Sequence, residues 1–443
     1  MAAVALTEVS LVMQITVENT GLLERRMAVQ VPAQRVAQAI DERLQSLSRT
    51  VRLKGFRPGK VPVKVVRQQY GAAVRQEVIE KLLQSTFSEA VADQKLTPAG
   101  GPRIEEFSAE EGHDLSFRAV FEIYPQFELQ GIDALQVLRP TVAVGAEDVD
   151  AMIDTLRSQQ STYGKVDRAA IDTDRVTVDF VGTIDGIAFD GGKGSNIPIV
   201  LGAGRMLPEF EAGLEGVQAG DTKQVDVIFP ADYAVAQLAG QKAVFTITVH
   251  SVEERQLPEL NDELAKVFGV QEGGLNTLRE EVAENMQREL ADAIRSRVRT
   301  QLFDGLLAAN SIELPTVLIE SAVRDMQIEV GRQRGARDVS QLPPAEQFYD
   351  AARRRVALGL LLGEVIKTSG VKVDRNRVQT KIQETVMQYP DPARAVKVYR
   401  ENPEAQRQIE NLVIEEQVIE WLLERVKVAD QPMSFKEVMG VGG

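Results

Sequence analysis

Gly55-Phe56-Arg57-Pro58-Gly59-Lys60-Val61-Pro62 is the stretch from which the organisation of this chain unfolds. Glycine and proline punctuate it throughout, so it reads as a loop tip between two helices. Upstream, Pro32 is placed to open a helix running to about residue 53, with Val36, Ala39, Ile40, Leu44, Leu47 and Val51 on one face. Downstream, Pro62 is placed to open a second, short helix that ends near Gly71. Phe56 sits in the loop beside Arg57. A phenylalanine in such a place either tucks back into the core or stands out as an apolar anchor among cations.

The surrounding charge is unusual. Residues 43–76 hold nine cations (Arg43, Arg49, Arg52, Lys54, Arg57, Lys60, Lys64, Arg67 and Arg75) and no Asp or Glu. The whole 443-residue chain has 51 Lys and Arg against 65 Asp and Glu, a net charge of −14, so the remainder carries 42 cations against 65 acids, or −23. A basic run is either a solvated helix face or the electrostatic footprint of one polyanionic partner. The unbroken absence of acid and the loop at its centre favour the second reading.

Composition removes several chemistries. There is no Cys, hence no disulfide, thiolate metal site or Cys nucleophile. The two histidines, His113 and His250, are far apart in sequence, which excludes a His-rich metal site. The longest apolar runs, such as 356–363, are far short of a membrane span of about 20 residues. The first residues show no basic n-region, so a soluble cytoplasmic protein is expected, with no membrane partner. The length suggests roughly two to four domains.

Outward from the tip, the expected organisation is multidomain α+β. Residues 1–12 are expected to be a disordered extension. Residues 13–124 form an α+β domain, with strands at 14–18, 25–31 and 115–124 and a further helix at about 74–94. Residues 125–160 read as a connector, with a strand at 135–142 and a helix at 146–160. Residues 161–256 form a small, mostly antiparallel β domain (175–181, 196–201, 223–229, 243–249) with one short helix at 206–213. Residues 257–443 are all-α, with helices at about 276–309, 315–334, 343–369, 374–389 and 403–427, and with Pro344, Gly370 and Asp374 as boundary signals. In the first of these, Leu278, Val282, Met286, Leu290, Ile294, Val298, Leu302 and Leu306 recur every four residues. A period of four drifts around a 3.6-residue helix, so the stripe winds and meets different neighbours along its length. Both a closed helical domain and an arm-bearing body fit this pattern.

The β domain offers no nucleophile. Gly186 and Gly192-Lys193 lack phosphate-loop spacing, and Gly194 stands where Ser or Thr is required. His250 is the only local histidine, so no Ser-His-Asp set is credible. Aromatic residues are instead concentrated here: Tyr163, Phe180, Phe189, Phe210, Phe229, Tyr233 and Phe245, seven of the chain's 23.

Val178-Asp179-Phe180-Val181-Gly182, Asp185-Gly186-x-x-Phe189-Asp190, Val200-Leu201-Gly202 and Pro208-x-Phe210-x-x-Gly213-Leu214 resemble the FK506-binding-protein family of peptidyl-prolyl isomerases. Phe229-Pro230 to Tyr233 and Phe245-Thr246-Ile247-x-Val249 continue the likeness. Gly55-Phe56-Arg57-x-Gly59-x-x-Pro62, residues 81–101 and Leu361-Leu362-Gly363-Glu364-Val365 resemble the trigger factor family of bacterial nascent-chain chaperones, over a match running from Met13 to about Gly440.

The resemblance implies a ribosome-associated, ATP-independent chaperone with an FKBP-type peptidyl-prolyl isomerase domain and a C-terminal body with helical arms. The alternative is a free peptidyl-prolyl isomerase with accessory client-binding domains. By resemblance, Gly55, Phe56, Arg57, Pro58, Gly59 and Lys60 form the ribosome-binding loop. Pro58 stands where the family often has a basic residue, which removes a charge and stiffens the loop. By resemblance too, Phe180, Phe189, Asp190, Leu207, Phe210, Tyr233 and Phe245 line the proline pocket, with Phe210 as its floor. Asp190 either orients a polar group there or serves the turn beside Gly191-Gly192. The implied partners are the large ribosomal subunit near the polypeptide exit tunnel, with contact to ribosomal RNA, and nascent or unfolded polypeptides. A homodimer of the free protein is a family expectation. No cofactor and no metal are implied.

Overall fold

A computed structural model describes residues 13–440 except Gly55, Pro58, Ala234, Ala236, Arg337 and Gln388. The expected extension at residues 1–12 lies outside the described residues, as do positions 55 and 58 of the loop. The described chain falls into two compact units. One comprises residues up to Arg139 with Arg297–Ala429, and the other Pro140–Ser296 with residues from Asp430 on.

In the first unit the order is β1 (Gln14–Asn19), β2 (Glu24–Val31), α1 (Ala33–Thr50), α2 (Val63–Asp93), β3 (Arg103–Ser108) and β4 (Leu115–Glu122). The strands make one antiparallel sheet in the order β1-β2-β4-β3, with Met27 opposite Ala119 and Val29 opposite Phe117. Alternation sends Met27, Val29, Val31, Leu115, Phe117, Ala119 and Phe121 into one core, where Val36, Leu44, Val66, Val74, Val78 and Leu82 of the two helices meet them. Phe87 packs edge-on against Phe121 at 5.1 Å.

Here the structure corrects the expected short helix. Gly71 does not end anything: α2 runs unbroken for 31 residues, about 46 Å at 1.5 Å per residue. Gly71 has no left-handed φ, and its amide simply continues the helix. Strand β3 was not anticipated. A register shift between Ile104 and Glu106 breaks its alternation, and every residue in it is exposed.

β5 (Gln136–Thr141) and α3 (Ala146–Gln159) follow, then β6 (Thr162–Val166), β7 (Arg175–Ile184), β8 (Ile187–Val200), α4 (Pro208–Leu214), β9 (Thr222–Ile228) and β10 (Lys242–Gln256). Strands β6-β10-β7-β8 form an antiparallel sheet, with β9 also paired to β10. Val176, Val178, Ile199, Phe210, Leu214, Val227, Phe245, Ile247 and Val249 make its core. The entry to β7 is tied by buried Asp174, which accepts from Arg168 at 2.5 and 3.1 Å and from the Ile171 N–H at 3.0 Å. Burial pushes the Asp174 carboxyl up, but the guanidinium and the amide outweigh it and hold the group below the usual carboxylate range.

Helices dominate the remainder: α5 (Asp262–Val267), α6 (Gly274–Ala309), α7 (Thr316–Gln333), α8 (Tyr349–Ser369), α9 (Arg375–Val386), α10 (Pro392–Glu401) and α11 (Pro403–Leu423), then β11 (Lys427–Pro432) and α12 (Phe435–Met439). The winding stripe on α6 meets a succession of neighbours. Leu278 packs with Ala265 and Val270, while Met286 and Leu290 pack with Val149, Ile153, Phe435 and Val438. Elsewhere α7 and α8 share Ile319, Val323 and Ala352, and α9 packs on α11 through Val378, Ile382, Ile409 and Val413. Asp374 caps α9 by accepting from Asn376 N–H at 2.8 Å and Arg377 N–H, and Gly370 ends α8 in the left-handed region. Residues 345–348 form a separate 3-10 turn, so α8 starts at Tyr349 rather than near 343. β6, α5, α10, β11 and α12 are additions to the expected elements, and β11 pairs with β5. Among the described residues no helix is long and apolar enough to cross a membrane.

Candidate functional site

Two places concentrate the side chains that the sequence singled out. The first is the tip between α1 and α2. Phe56 is 39% exposed, so it is not tucked into the core. Its N–H donates to the Leu53 carbonyl at 3.2 Å, the Lys60 N–H donates to the Arg57 carbonyl at 3.0 Å, and Gly59 takes φ +79°, which favours glycine.

The nine cations divide into two sets. Arg43 pairs with Glu77 at 3.0 Å, Arg67 pairs with Asp41, and Arg75 donates to the Ala109 carbonyl. Lys81 and then Arg43 hold the Glu77 carboxyl below its ordinary value. Arg49, Arg52, Lys54, Arg57, Lys60 and Lys64 are exposed, and among the described residues no carboxylate pairs with them. Six unneutralised cations thus flank one exposed aromatic residue in sequence.

The second place is an aromatic cup on the β6–β10 sheet. Phe180 lies on β7 at the inward register of Val176 and Val178, and Phe245 on β10 stands opposite Gly182. α4 supplies Phe210, which is 2% exposed, and β8 supplies Phe189. Ring centroids lie 5.5 Å apart for Phe180 and Phe210, 5.2 Å for Phe210 and Phe245, 5.9 Å for Phe180 and Phe245, and 6.1 Å for Phe189 and Phe245. All four contacts are edge-to-face, the arrangement that aromatic quadrupoles prefer.

Glycine makes room for these rings. A Cβ on Gly182 would stand 2.6 Å from Phe245 and 3.0 Å from Phe189, and one on Gly194 would stand 2.6 Å from Phe180. Neither glycine has a positive φ, so close approach rather than backbone freedom explains them.

Of the pocket residues named from sequence, Phe180, Phe189, Phe210, Tyr233 and Phe245 join one cluster, with Leu207 packed against the same core. Tyr233 sits at the rim, 36% exposed, its N–H donating to the Pro230 carbonyl at 3.1 Å. Leu207 caps α4, and its carbonyl accepts from Phe210 and Glu211 N–H at 2.9 and 3.1 Å. Among the described residues its own N–H has no acceptor. Asp190 is exposed on β8, and its side chain makes no hydrogen bond or ion pair among the described residues.

Sequence reasoning left out Phe229, which lies 6.0 Å from Phe189 and 4.8 Å from Tyr233 and links the rim to the cup. The alternation Val225, Val227, Phe229 already pointed it inward. Among the described residues no group of His, Cys, Asp or Glu is placed to hold a metal ion.

Comparison with known proteins finds three family matches along the chain. Residues 13–156 match the family described as "Bacterial trigger factor protein (TF)" and residues 274–424 match its C-terminus. Residues 166–250 match "FKBP-type peptidyl-prolyl cis-trans isomerase". The chain is 44% identical over 430 residues to the trigger factor of Alkalilimnicola ehrlichii, covering 96% of this chain and 95% of that protein. It is 44% identical over 427 residues to the trigger factor of Pseudomonas syringae pv. syringae, covering 96% and 98%. A solved structure described under "Promiscuous Substrate Recognition in Folding and Assembly Activities of the Trigger Factor Chaperone" is 20% identical, covers 93% of this chain and 99% of its own, and aligns with a TM-score of 0.47.

Proposed function

From the premise that the chain belongs to the trigger factor family of chaperones and carries that family's FKBP-type isomerase domain, we propose which parts of it do the work. The tip around Phe56, Arg57, Gly59 and Lys60, with Gly55 and Pro58, docks on the large ribosomal subunit beside the polypeptide exit tunnel. Residues 13–124 form the docking domain, 125–160 the connector, 161–256 the isomerase and 257–443 the client-holding helical body. The protein acts in the cytoplasm without ATP and receives nascent and unfolded polypeptides. Free copies associate as homodimers.

The observation that carries the docking assignment is the exposed Phe56 ring among six cations without carboxylate partners, on a chain of net charge −14. Those cations suit phosphates of ribosomal RNA, while the acidic remainder repels them elsewhere. Replacing Phe56 and Arg57 together by Ala is expected to abolish co-sedimentation with ribosomes, with the circular dichroism spectrum unchanged. Wild-type binding should weaken steeply with added salt. Undiminished co-sedimentation of the double variant would sink the assignment.

The cup formed by Phe180, Phe189, Leu207, Phe210, Tyr233 and Phe245, with Asp190 at its edge, is the isomerase site. An X-Pro bond rotates over a barrier of about 18–20 kcal/mol because planar resonance gives it double-bond character. That planar form is charge-separated, and apolar walls disfavour it. The twisted amide loses less on entering, so the cup binds the transition state preferentially. The ring stack holds the proline, and no nucleophile or proton transfer is needed.

A further inference from the structure

Glu211 is next to the cup and belongs to none of the motifs that pointed to it. It follows Phe210 in the first turn of α4. Its Oε1 accepts from the Arg205 N–H at 3.1 Å and the Met206 N–H at 3.1 Å, and its Oε2 accepts from the Gly202 N–H at 3.2 Å. Three of the five backbone donors in residues 202–206 therefore converge on one carboxylate.

The loop they belong to is not otherwise well tied. Ala203 N–H reaches the Val200 carbonyl at 3.4 Å, and Gly202 and Gly204 are both left-handed at φ +75° and +63°. A chain bent this way turns successive N–H groups inward, and an anion at the centre holds the bend. The loop then delivers Met206 and Leu207, both packed against the aromatic core, and hands over to the helix that holds Phe210.

We propose that Glu211 is a positioning residue of the isomerase. It does not touch the proline. Through three charge-assisted hydrogen bonds it fixes the loop that sets Leu207 as a wall of the cup and aims the unaccepted Leu207 N–H. The competing view is that Glu211 is an ordinary first-turn acid complementing the helix N-terminus. Such a group would affect stability and leave the reaction alone. The inference rests on the cup being the isomerase site, and the wild-type protein's own activity separates the two.

The test uses the full chain and a short proline-containing peptide, with kcat and KM measured separately. Glu211→Ala removes all three acceptors and is expected to lower kcat/KM about tenfold, near 1.4 kcal/mol of transition-state stabilisation. The fall should lie mainly in kcat, because the aromatic rings still hold the ground-state proline. Glu211→Gln keeps one oxygen for Arg205 and Met206 but presents an NH2 group to Gly202, so it should sit between, about threefold below wild type. The order Glu, Gln, Ala in kcat with the β-sheet circular dichroism retained supports the proposal. If Glu211→Ala fails to fold, a kcat loss in Glu211→Gln carries it and unchanged kcat in Glu211→Gln overturns it. Wild-type kcat in both variants, or a loss confined to KM, also overturns it. An inactive wild-type protein would instead overturn the isomerase reading of the cup, and this inference with it.

Discussion

Asp179 and Phe180 are neighbours on β7 and face opposite ways, as successive strand residues must. Phe180 enters the cup. Asp179 accepts the Asn196 N–H at 2.7 Å and meets His250 Nε2 at 2.9 Å. Asn196 is left-handed at φ +52°, and His250 stands at the register shift between Val249 and Ser251. One carboxylate thus pins two irregular points of the strands that flank β7. The Asn196 amide first, and the His250 side chain second, hold its pKa below the ordinary 3.8. A depressed carboxylate contributes stability above its unfolded pKa and loses it as pH falls through the lower folded value. Asp179→Ala should therefore lower the thermal unfolding midpoint near neutral pH, and the gap to wild type should shrink as pH drops below 3.8. A gap that stays constant into strong acid would contradict this. At this scale the aromatic members of the cup were readable through the resemblance of their motifs to the FK506-binding-protein family. The clamp by Glu211 was not, because an acceptor for three loop amides exists only once the loop has folded.

Helix α2 shows how a punctuation signal can mislead. Gly71 looked like a stop, yet the residues on either side, Val66, Val74 and Val78, bury into one core. Continuing the helix through Gly71 keeps that apolar stripe in contact, which outweighs the roughly 0.5–1 kcal/mol that an interior glycine costs. A Cβ there would meet only Arg67 Cγ, at 3.7 Å, an ordinary contact. Gly71→Ala should accordingly stabilise the N-terminal part by about 0.5–1 kcal/mol, read as a higher denaturant midpoint in chemical unfolding. A lower midpoint would mean that the glycine is needed for close packing. Strands β3 and β11 were missed for a different reason. Both are fully exposed, so neither carries the hydrophobic alternation by which strands are recognised. They exist because β4 and β5 offer them backbone partners.

Over the whole molecule, the proposed function assigns chaperoning and isomerisation to different surfaces. In the proposed reading, a cup built from aromatic rings on β7, β8, β10 and α4 acts on one peptide bond at a time. Holding a client requires many weak apolar contacts and no ring geometry. Phe210→Leu keeps the buried site filled better than Ala would. It should slow proline-limited refolding of a client while leaving suppression of client aggregation intact. Loss of both together would show that client holding runs through the cup. The absence of Cys and the scarcity of His already directed attention to an apolar mechanism, and the acid-free run of residues 43–76 already marked the tip.

By itself the sequence determined composition-level and periodic properties. These are the local charge imbalance and the succession of α+β, β and helical regions, which follow from composition and spacing along the chain, while Phe180, Phe210 and Phe245 were marked by their resemblance to the isomerase family. Only the tertiary structure decided which of nine cations remain unneutralised, that Phe56 is exposed and that Glu211 gathers three loop amides. Each of these depends on partners distant in sequence or on the path of a loop, and neither hydrophobic period nor local propensity encodes where such partners meet.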